Sequence, residues 1–281
     1  MAEDVAGRHN AAVKAARLLQ QKKHRLAERC FLVEGPTLVE AALERGADIM
    51  RVFALDPRSR SEDQPLRSAA AVELSAAFGP LRERTTYVDR QTLDSLSSTK
   101  TPQGIVAVVG FIDRDQNALG QIVPAAGRTL VLVLPDLSDP GNAGTLLRSA
   151  EAFGANAVCF GPTAVDPYND KVVRASMGSL FRVPLVRYER WDDLVAALRG
   201  LQIQIIAADQ GGDDVRSVTT PQRAALVVGQ ERHGLAGIAV GELDAMVGVP
   251  QHPGPESLNA AVAGSLLLYE LARAQGLFEQ T

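Results

Sequence analysis

Val249-Pro250-Gln251-His252-Pro253-Gly254-Pro255-Glu256-Ser257-Leu258-Asn259-Ala260-Ala261-Val262-Ala263-Gly264-Ser265-Leu266-Leu267-Leu268-Tyr269-Glu270 holds a strand end, a loop and a helix in one stretch. The strand-like run Ala245 to Val249 stops at Pro250, which has no N–H for a sheet ladder. A proline- and glycine-rich loop follows, and a helix is expected to begin at Ser257. Leu258, Ala261, Val262, Ser265, Leu268, Tyr269 and Ala272 form one stripe at spacings of three and four. Ala260, Ala263, Gly264, Leu266, Leu267 and Leu271 fill the other side, and the first charge is Glu270. A helix apolar on every face is buried on every face. Here one face is expected on the chain's own sheet and another on a second subunit. Asn259 is the polar exception in the first turn, where an amide caps backbone N–H groups or holds a ligand. For this segment alone a simple cap, by Ser257 or Asn259, explains as much as a binding role.

Working back, Thr129 to Leu134 is a continuous apolar strand, followed by a loop over Pro135 to Gly141 and a helix over Asn142 to Phe153. Further strands are expected at Ala157 to Phe160, Val183 to Val186, Ile203 to Ala207 and Ala225 to Val228. Helices around Arg174 and over Trp191 to Arg199 separate them. Fully apolar strands alternating with helices predict an α/β fold with a mostly parallel sheet covered on both faces. Upstream, a basic helix over 8 to 29 precedes a strand at Phe31 to Val33, a helix over Thr37 to Arg45 and a strand at Ile49 to Leu55. Strands at Thr86 to Val88 and Ile105 to Phe111 close a smaller α/β domain. The expected boundaries are 1–112 for this domain, 113–128 for a linker of mixed polarity, and 129–281 for the larger domain.

The chain has 281 residues, which suits two domains. No apolar run has the length of a membrane span, and the N-terminus carries no apolar signal core. The two cysteines, Cys30 and Cys159, form neither a disulfide framework nor a zinc-binding spacing. A cytoplasmic protein without membrane partners is expected. The net charge of −4 argues against a protein that coats nucleic acid indiscriminately. Between Val5 and Val33, however, Arg8, Lys14, Arg17, Lys22, Lys23, Arg25 and Arg29 face only Glu28. Such asymmetry marks either a phosphate-tracking surface or a solvated helix face.

Two further segments repeat the pattern of a strand opening into a turn. In Asp139-Pro140-Gly141-Asn142-Ala143-Gly144-Thr145-Leu146-Leu147-Arg148, the core stripe of Ala143, Leu146, Leu147 and Ala150 leaves Arg148 on another face. Ligands bind α/β sheets at such strand-to-helix switches, where Arg148 could grip a phosphate. A weak surface pair with Glu151 at i,i+3 is the plainer alternative. In Val227-Val228-Gly229-Gln230-Glu231-Arg232-His233-Gly234, an apolar strand ends at a glycine and a charge follows. His233 and His252, without carboxylates at ligand spacing, are read as loop residues, and no metal site is expected.

Together the three segments resemble the SpoU/TrmH family of RNA 2′-O-ribose methyltransferases, in the SPOUT superfamily. The first motif appears as Asn142-x-Gly144 with Arg148 and Phe153-Gly154. The second is Gly229-x-Glu231-x-x-Gly234, and the third Val249-Pro250 with Ser257-Leu258-Asn259. The stretch Lys171 to Pro184 also looks like the family, and the resemblance runs from Thr129 to the C-terminus. Upstream, Arg25 to Pro36 with Phe31-Leu32-Val33-Glu34-Gly35, and Thr101 to Ile105, are similar to the family's ribosomal-protein-like RNA-binding domain. Relatives often carry a small hydroxyl residue where this chain has Ala261.

The resemblance implies a SPOUT domain with a deep trefoil knot that forms a pocket for S-adenosyl-L-methionine, in a homodimer. Cofactor contacts fall on Gly229, Val249 and Leu258. The family assigns Arg148 to activate or orient the ribose hydroxyl. Because a guanidinium is hard to deprotonate, orientation is the less demanding role. Asn142, Glu231, Ser257 and Asn259 are expected to shape the catalytic site, Glu231 by holding Arg148 or another donor. RNA contacts fall on Arg8, Lys14, Arg17, Lys22, Lys23 and Arg25. Ribosomal RNA is the first expectation for the substrate and transfer RNA the second. A catalytically inactive RNA-binding SPOUT protein is the main alternative, against which Arg148, Glu231 and Asn259 count. A nucleotide-binding enzyme unrelated to RNA is disfavoured, since neither a G-x-G-x-x-G turn nor a P-loop is present.

Overall fold

The computed structural model describes residues 5–56, 76–99, 101–230, 240–252 and 258–279. The chain divides into two compact units. One runs to Ile112 and includes Tyr168–Arg174; the other comprises Asp113–Pro167 and the chain from Ala175 onward.

In the first unit, α1 (Ala11–Leu18) is capped by Asn10, whose side chain accepts from Ala12 N at 2.9 Å. The segment predicted as one basic helix is broken, with α2 (Lys22–Glu28) starting afresh. Arg25 accounts for the break: it is 5% exposed, and its Nη1 donates to the carbonyls of Leu19 and Gln20 at 2.9 and 3.0 Å. These carbonyls would otherwise be orphaned at the end of α1. There follow β1 (Cys30–Glu34), α3 (Pro36–Glu44), β2 (Ile49–Leu55), a 3-10 segment (Ala76–Arg84), β3 (Thr85–Val88), α4 (Arg90–Leu96) and β4 (Ile105–Gly110). The sheet order is β1-β4-β2-β3, antiparallel except for the β2–β3 pair. Val13, Ala16, Phe53, Val88, Leu93 and Val106 form the core beneath α1 and α4.

The second unit opens with β5 (Arg114–Asp115) and α5 (Leu119–Ile122). The stretch expected to be a linker is therefore part of this unit. β5 pairs in parallel with β8 (Leu185–Arg187), and Leu119 and Val123 are buried in the core. Short apolar positions among polar ones look like a linker in sequence, but two of them suffice to fasten a short helix.

Beyond α5 come β6 (Thr129–Leu134), α6 (Pro140–Ala152), β7 (Ala157–Phe160), α7 (Asp170–Ala175), α8 (Ser179–Arg182), β8, α9 (Trp191–Gly200), β9 (Gln204–Asp214), β10 (Arg223–Val227), β11 (Ala245–Gly248) and α10 (Ala260–Ala274); of these, α7 belongs to the first unit as far as Arg174. The seven strands are parallel throughout, in the order β11-β9-β10-β6-β7-β8-β5. Strand direction of travel reverses at β6, because the chain steps outward to β7 and β8 and later inserts β10 on β6's other edge. The crevice outside the carboxyl ends of the strands at such a switch is the usual place for a ligand.

Residues alternate between the two faces of the sheet. Val131, Val133, Ala157, Ala225 and Val227 pack with Leu194 and Leu198 of α9. On the other side lie α6 and α10, which contact each other. The two helices are joined by Ser149 Oγ and Ser265 Oγ at 2.6 Å, and by the edge-to-face rings of Phe153 and Tyr269, 5.5 Å apart. Gly144 is required in α6, because a Cβ there would come within 2.8 Å of the Ala175 backbone.

α10 begins at Ala260 rather than Ser257, and Ser257 lies outside the described residues. Its buried face includes Ala261, Gly264, Leu267, Leu268 and Leu271. The helix is not buried all round within one chain: Val262, Leu266 and Tyr269 remain 47%, 43% and 40% exposed.

Candidate active site

Three strand ends supply the site. β6 runs into Pro135 to Asp139 and α6, β10 into Gly229 and Gln230, and β11 into Val249 and Gln251. Asp139 caps α6, accepting from Asn142 N at 2.7 Å, and so fixes the turn that carries Asn142. Gln230 ties the second loop to the first: its backbone N–H donates to Asp136 Oδ1 at 3.1 Å, and its Nε2 to Ser138 Oγ at 2.7 Å. Asn259 ties the third. Its Oδ1 accepts from Ala261 N and Val262 N at 3.0 and 3.2 Å, capping α10, and its Nδ2 donates to Asn142 Oδ1 at 3.0 Å. Asn259 is thus both a cap and a bridge, so the two readings its sequence position allowed are compatible.

The second and third loops, with the residues after Ala207 of β9 and the start of α10, enclose a pocket of about 240 Å³, to which the first loop contributes no lining residue. Gly229, Val249 and Leu258, the expected cofactor contacts, all line it, with Val228, Val247 and Leu267 as further apolar wall. Ala260 and Ala263 of α10 keep one wall low. Its polar side chains are Asp209, Gln210, Gln230 and Gln251. Asp209, Gln210 and Gln251 escaped the sequence reading. Asp209 carried a usable signal, being an acid two residues beyond an apolar strand, as Glu231 is.

Of the expected catalytic residues, Asn142 and Asn259 meet at the rim, next to pocket-lining Leu258 and Ala260. Glu231 and Ser257 lie outside the described residues, as do Gly234 and His233. Arg148 is not part of the pocket wall. It lies on the exposed ridge of α6 with Gly141, Thr145 and Ala152, and it makes no hydrogen bond or ion pair among the described residues. The surface pair with Glu151 does not form, because Glu151 instead accepts from Arg182, through Nε and through Nη2 at 3.1 Å. Arg148 is left as an uncommitted cation on the exposed ridge of α6.

In the first unit, Arg8, Lys14, Arg17, Lys22 and Lys23 are all exposed. Arg25 is a correction: it faces inward and holds the end of α1, so it is not available to a phosphate. A basic run does not reveal which of its cations turns inward. His252 is exposed, and no cluster able to hold a metal occurs among the described residues.

Residues 129–269 match the model of the SpoU rRNA Methylase family, and residues 10–107 that of the MRM3-like substrate binding domain. The chain belongs to the SpoU rRNA methylase family. It is 30% identical to the 23S rRNA (guanosine(2553)-2'-O)-methyltransferase RlmP of Bacillus subtilis, over 93% of this chain and 96% of that one. It is equally 30% identical to the 23S rRNA (uridine(2479)-2'-O)-methyltransferase of Streptomyces viridochromogenes, over 91% of this chain and 87% of that one. Among solved structures it resembles the AdoMet-bound rRNA methyltransferase from Sinorhizobium meliloti, with a TM-score of 0.80 and 27% identity over 96% of this chain and 97% of that one.

Proposed function

We propose that this SpoU-family chain is an S-adenosyl-L-methionine-dependent methyltransferase acting on a ribose 2′-hydroxyl of RNA, with ribosomal RNA the expected substrate. The observation that carries the proposal is the joining of three motif-bearing loops, through Gln230 to Asp136 and Ser138 and through Asn259 to Asn142, beside one pocket that the second and third of them line. Relatives that align over nearly the whole chain and are named for 23S rRNA favour ribosomal over transfer RNA.

The pocket suits the nucleoside part of the cofactor. Val228, Val247, Val249, Leu258 and Leu267 give apolar walls for adenine, and strand ends give main-chain donors and acceptors. When bound, the cofactor supplies an electrophilic methyl group on a sulfonium. The protein's part is then positioning, which accounts for much of the rate of an in-line displacement. Asn142 and Asn259 fix the rim against which the ribose rests. Arg148, charged and exposed, holds the RNA by the phosphate next to the target ribose and orients the hydroxyl. Glu231 and Ser257 complete the catalytic set.

The finer architecture belongs to the same reading. Insertion of β10 between β6 and β9, with the chain after β11 returning to α6, supports a trefoil knot. The exposed apolar stripe of α10 supports a homodimer with α10 at its interface. Residues 1–112 act as the RNA-binding domain, with Arg8, Lys14, Arg17, Lys22 and Lys23 tracking phosphates. No helix among the described residues is long and apolar enough to cross a membrane, and a cytoplasmic site of action is the expectation for a bacterial-type rRNA substrate such as that of the Bacillus subtilis relative.

The test is methyl transfer from tritiated cofactor into rRNA and tRNA of a deletion strain, followed by mapping of 2′-O-methyl positions. Incorporation at one ribose of 23S rRNA is expected. Binding of cofactor and RNA without incorporation would favour an inactive RNA-binding protein, and label in tRNA alone would move the substrate.

A further inference from the structure

β9 does not behave as its length suggests. β10 accompanies it only from Gln204 to Ala207. On its other edge β11 pairs Met246 with Ala207, and the very next residue, Val247, with Asp213. Ala208 to Gly212 therefore have no partner on β11 and form a bulge at the mouth of the pocket. Five residues outside a parallel ladder are a larger excursion than the usual one-residue bulge, and like a bulge they re-aim side chains out of the sheet.

The bulge is tightly held. Asp209 Oδ1 accepts from Gly211 N at 2.7 Å, closing a local turn. A Cβ on Gly248 would lie 2.8 Å from Asp209 O, so β11 has no room for a side chain there. The backbone of Asp209 is thus clamped, and its half-buried side chain lines the same pocket as Gly229, Val249 and Leu258. Asp209 is the one charged side chain lining that pocket among the described residues. Its second carboxylate oxygen, Oδ2, has no hydrogen bond or ion pair among them.

We propose that Asp209 is a cofactor-binding residue whose Oδ2 accepts hydrogen bonds from the ribose hydroxyls of the bound nucleoside. The assignment rests on the methyltransferase reading above. A carboxylate at the carboxyl end of a parallel strand, beside a glycine turn, has the chemistry to recognise a ribose diol, as the acidic residue of dinucleotide-binding folds does. Oδ1 is occupied in holding the bulge, so one oxygen is presented in a fixed direction. The apolar walls take the base, and the acid takes the most polar part of the nucleoside.

The test is calorimetric titration of the full chain with S-adenosylhomocysteine, S-adenosylmethionine, and the 2′-deoxy and 3′-deoxy forms of S-adenosylhomocysteine. Asp209→Asn keeps a carbonyl to accept from Gly211 and replaces the free oxygen by a donor. Loss of a hydrogen bond to a charged acceptor corresponds to about 10- to 100-fold in Kd. The wild type is expected to bind at least one deoxy form weaker by that factor. Asp209→Asn should bind S-adenosylhomocysteine and S-adenosylmethionine weaker by similar factors and no longer distinguish the deoxy forms. Wild-type protein that binds both deoxy forms as tightly as the parent overturns the assignment, whatever the variant does. So does a variant that still discriminates against them, or one that loses S-adenosylmethionine far more than S-adenosylhomocysteine, which would place the carboxylate on the sulfonium. A wild type that binds none of these ligands would instead refute the methyltransferase reading itself.

Discussion

Asn259 donates from Nδ2 to Asn142 Oδ1 at 3.0 Å while its own Oδ1 caps α10. One side chain therefore carries a structural and a site-forming bond on opposite ends of its amide. Asn259→Ala loses both, at a cost of about 1 kcal/mol for the cap. Asn259→Asp keeps the cap and adds a charge favourable at a helix N-terminus, but it has no donor for Asn142. Urea melts should show Asn259→Asp close to wild type and Asn259→Ala destabilised. Methyl transfer should be reduced in both. Full activity in Asn259→Asp would reduce the bridge to Asn142 to an ornament of the cap.

Arg148 is exposed on α6, and no carboxylate among the described residues holds it. Its removal should not disturb the fold or the pocket. Arg148→Ala is expected to lower kcat at least about 100-fold, the scale for removing a charged group that acts in the transition state, while the Kd for S-adenosylmethionine changes no more than a few-fold. Single-turnover methylation and calorimetry separate these quantities. Weakened cofactor binding with an unchanged melting temperature would put the guanidinium in the wrong role.

The parallel sheet was legible because β6, β7 and β10 are apolar on both faces, a pattern that few other structures allow. The convergence of three loops was legible only through motifs, since no local pattern tells which strand ends meet. Two features were hidden for physical reasons. Asp209-Gln210-Gly211-Gly212-Asp213-Asp214 is polar and glycine-rich, so it reads as the turn after a strand, although β11 rejoins it beyond the bulge. Arg25 looks like its basic neighbours, because only the tertiary fold decides which cation is drawn inward to two helix carbonyls.

Val262, Leu266 and Tyr269 lie on one stripe of α10 and stay 47%, 43% and 40% exposed. Scattered exposed apolar residues are ordinary, whereas an aligned stripe on an otherwise buried helix has the character that association surfaces share. Leu266→Glu places a charge in the middle of that stripe. Sedimentation equilibrium should give a dimer for the wild type and a monomer for the variant, with near-native circular dichroism. A wild-type monomer at micromolar concentration would remove the subunit interface from the functional reading.

Asp244 fastens the start of β9 to α9. It accepts from Ile205 N at 2.7 Å and from Arg199 Nη1 at 2.6 and 2.8 Å. Burial opposes its ionisation, but the hydrogen bonds from Arg199 and Ile205 outweigh burial, and its pKa is lowered below the ordinary carboxylate value. A carboxyl group with a depressed native pKa contributes stability that is present above its unfolded value of about 4 and is lost as pH falls through the native value. Asp244→Asn should therefore cost stability at pH 7 and less at pH 3, below the unfolded value. Because Arg199 is 42% exposed, solvent screening limits the effect to about 1 kcal/mol. Urea unfolding of wild type and variant at the two pH values checks this. A difference that stays constant with pH would mean that the bond geometry at Ile205, rather than the charge, holds the strand.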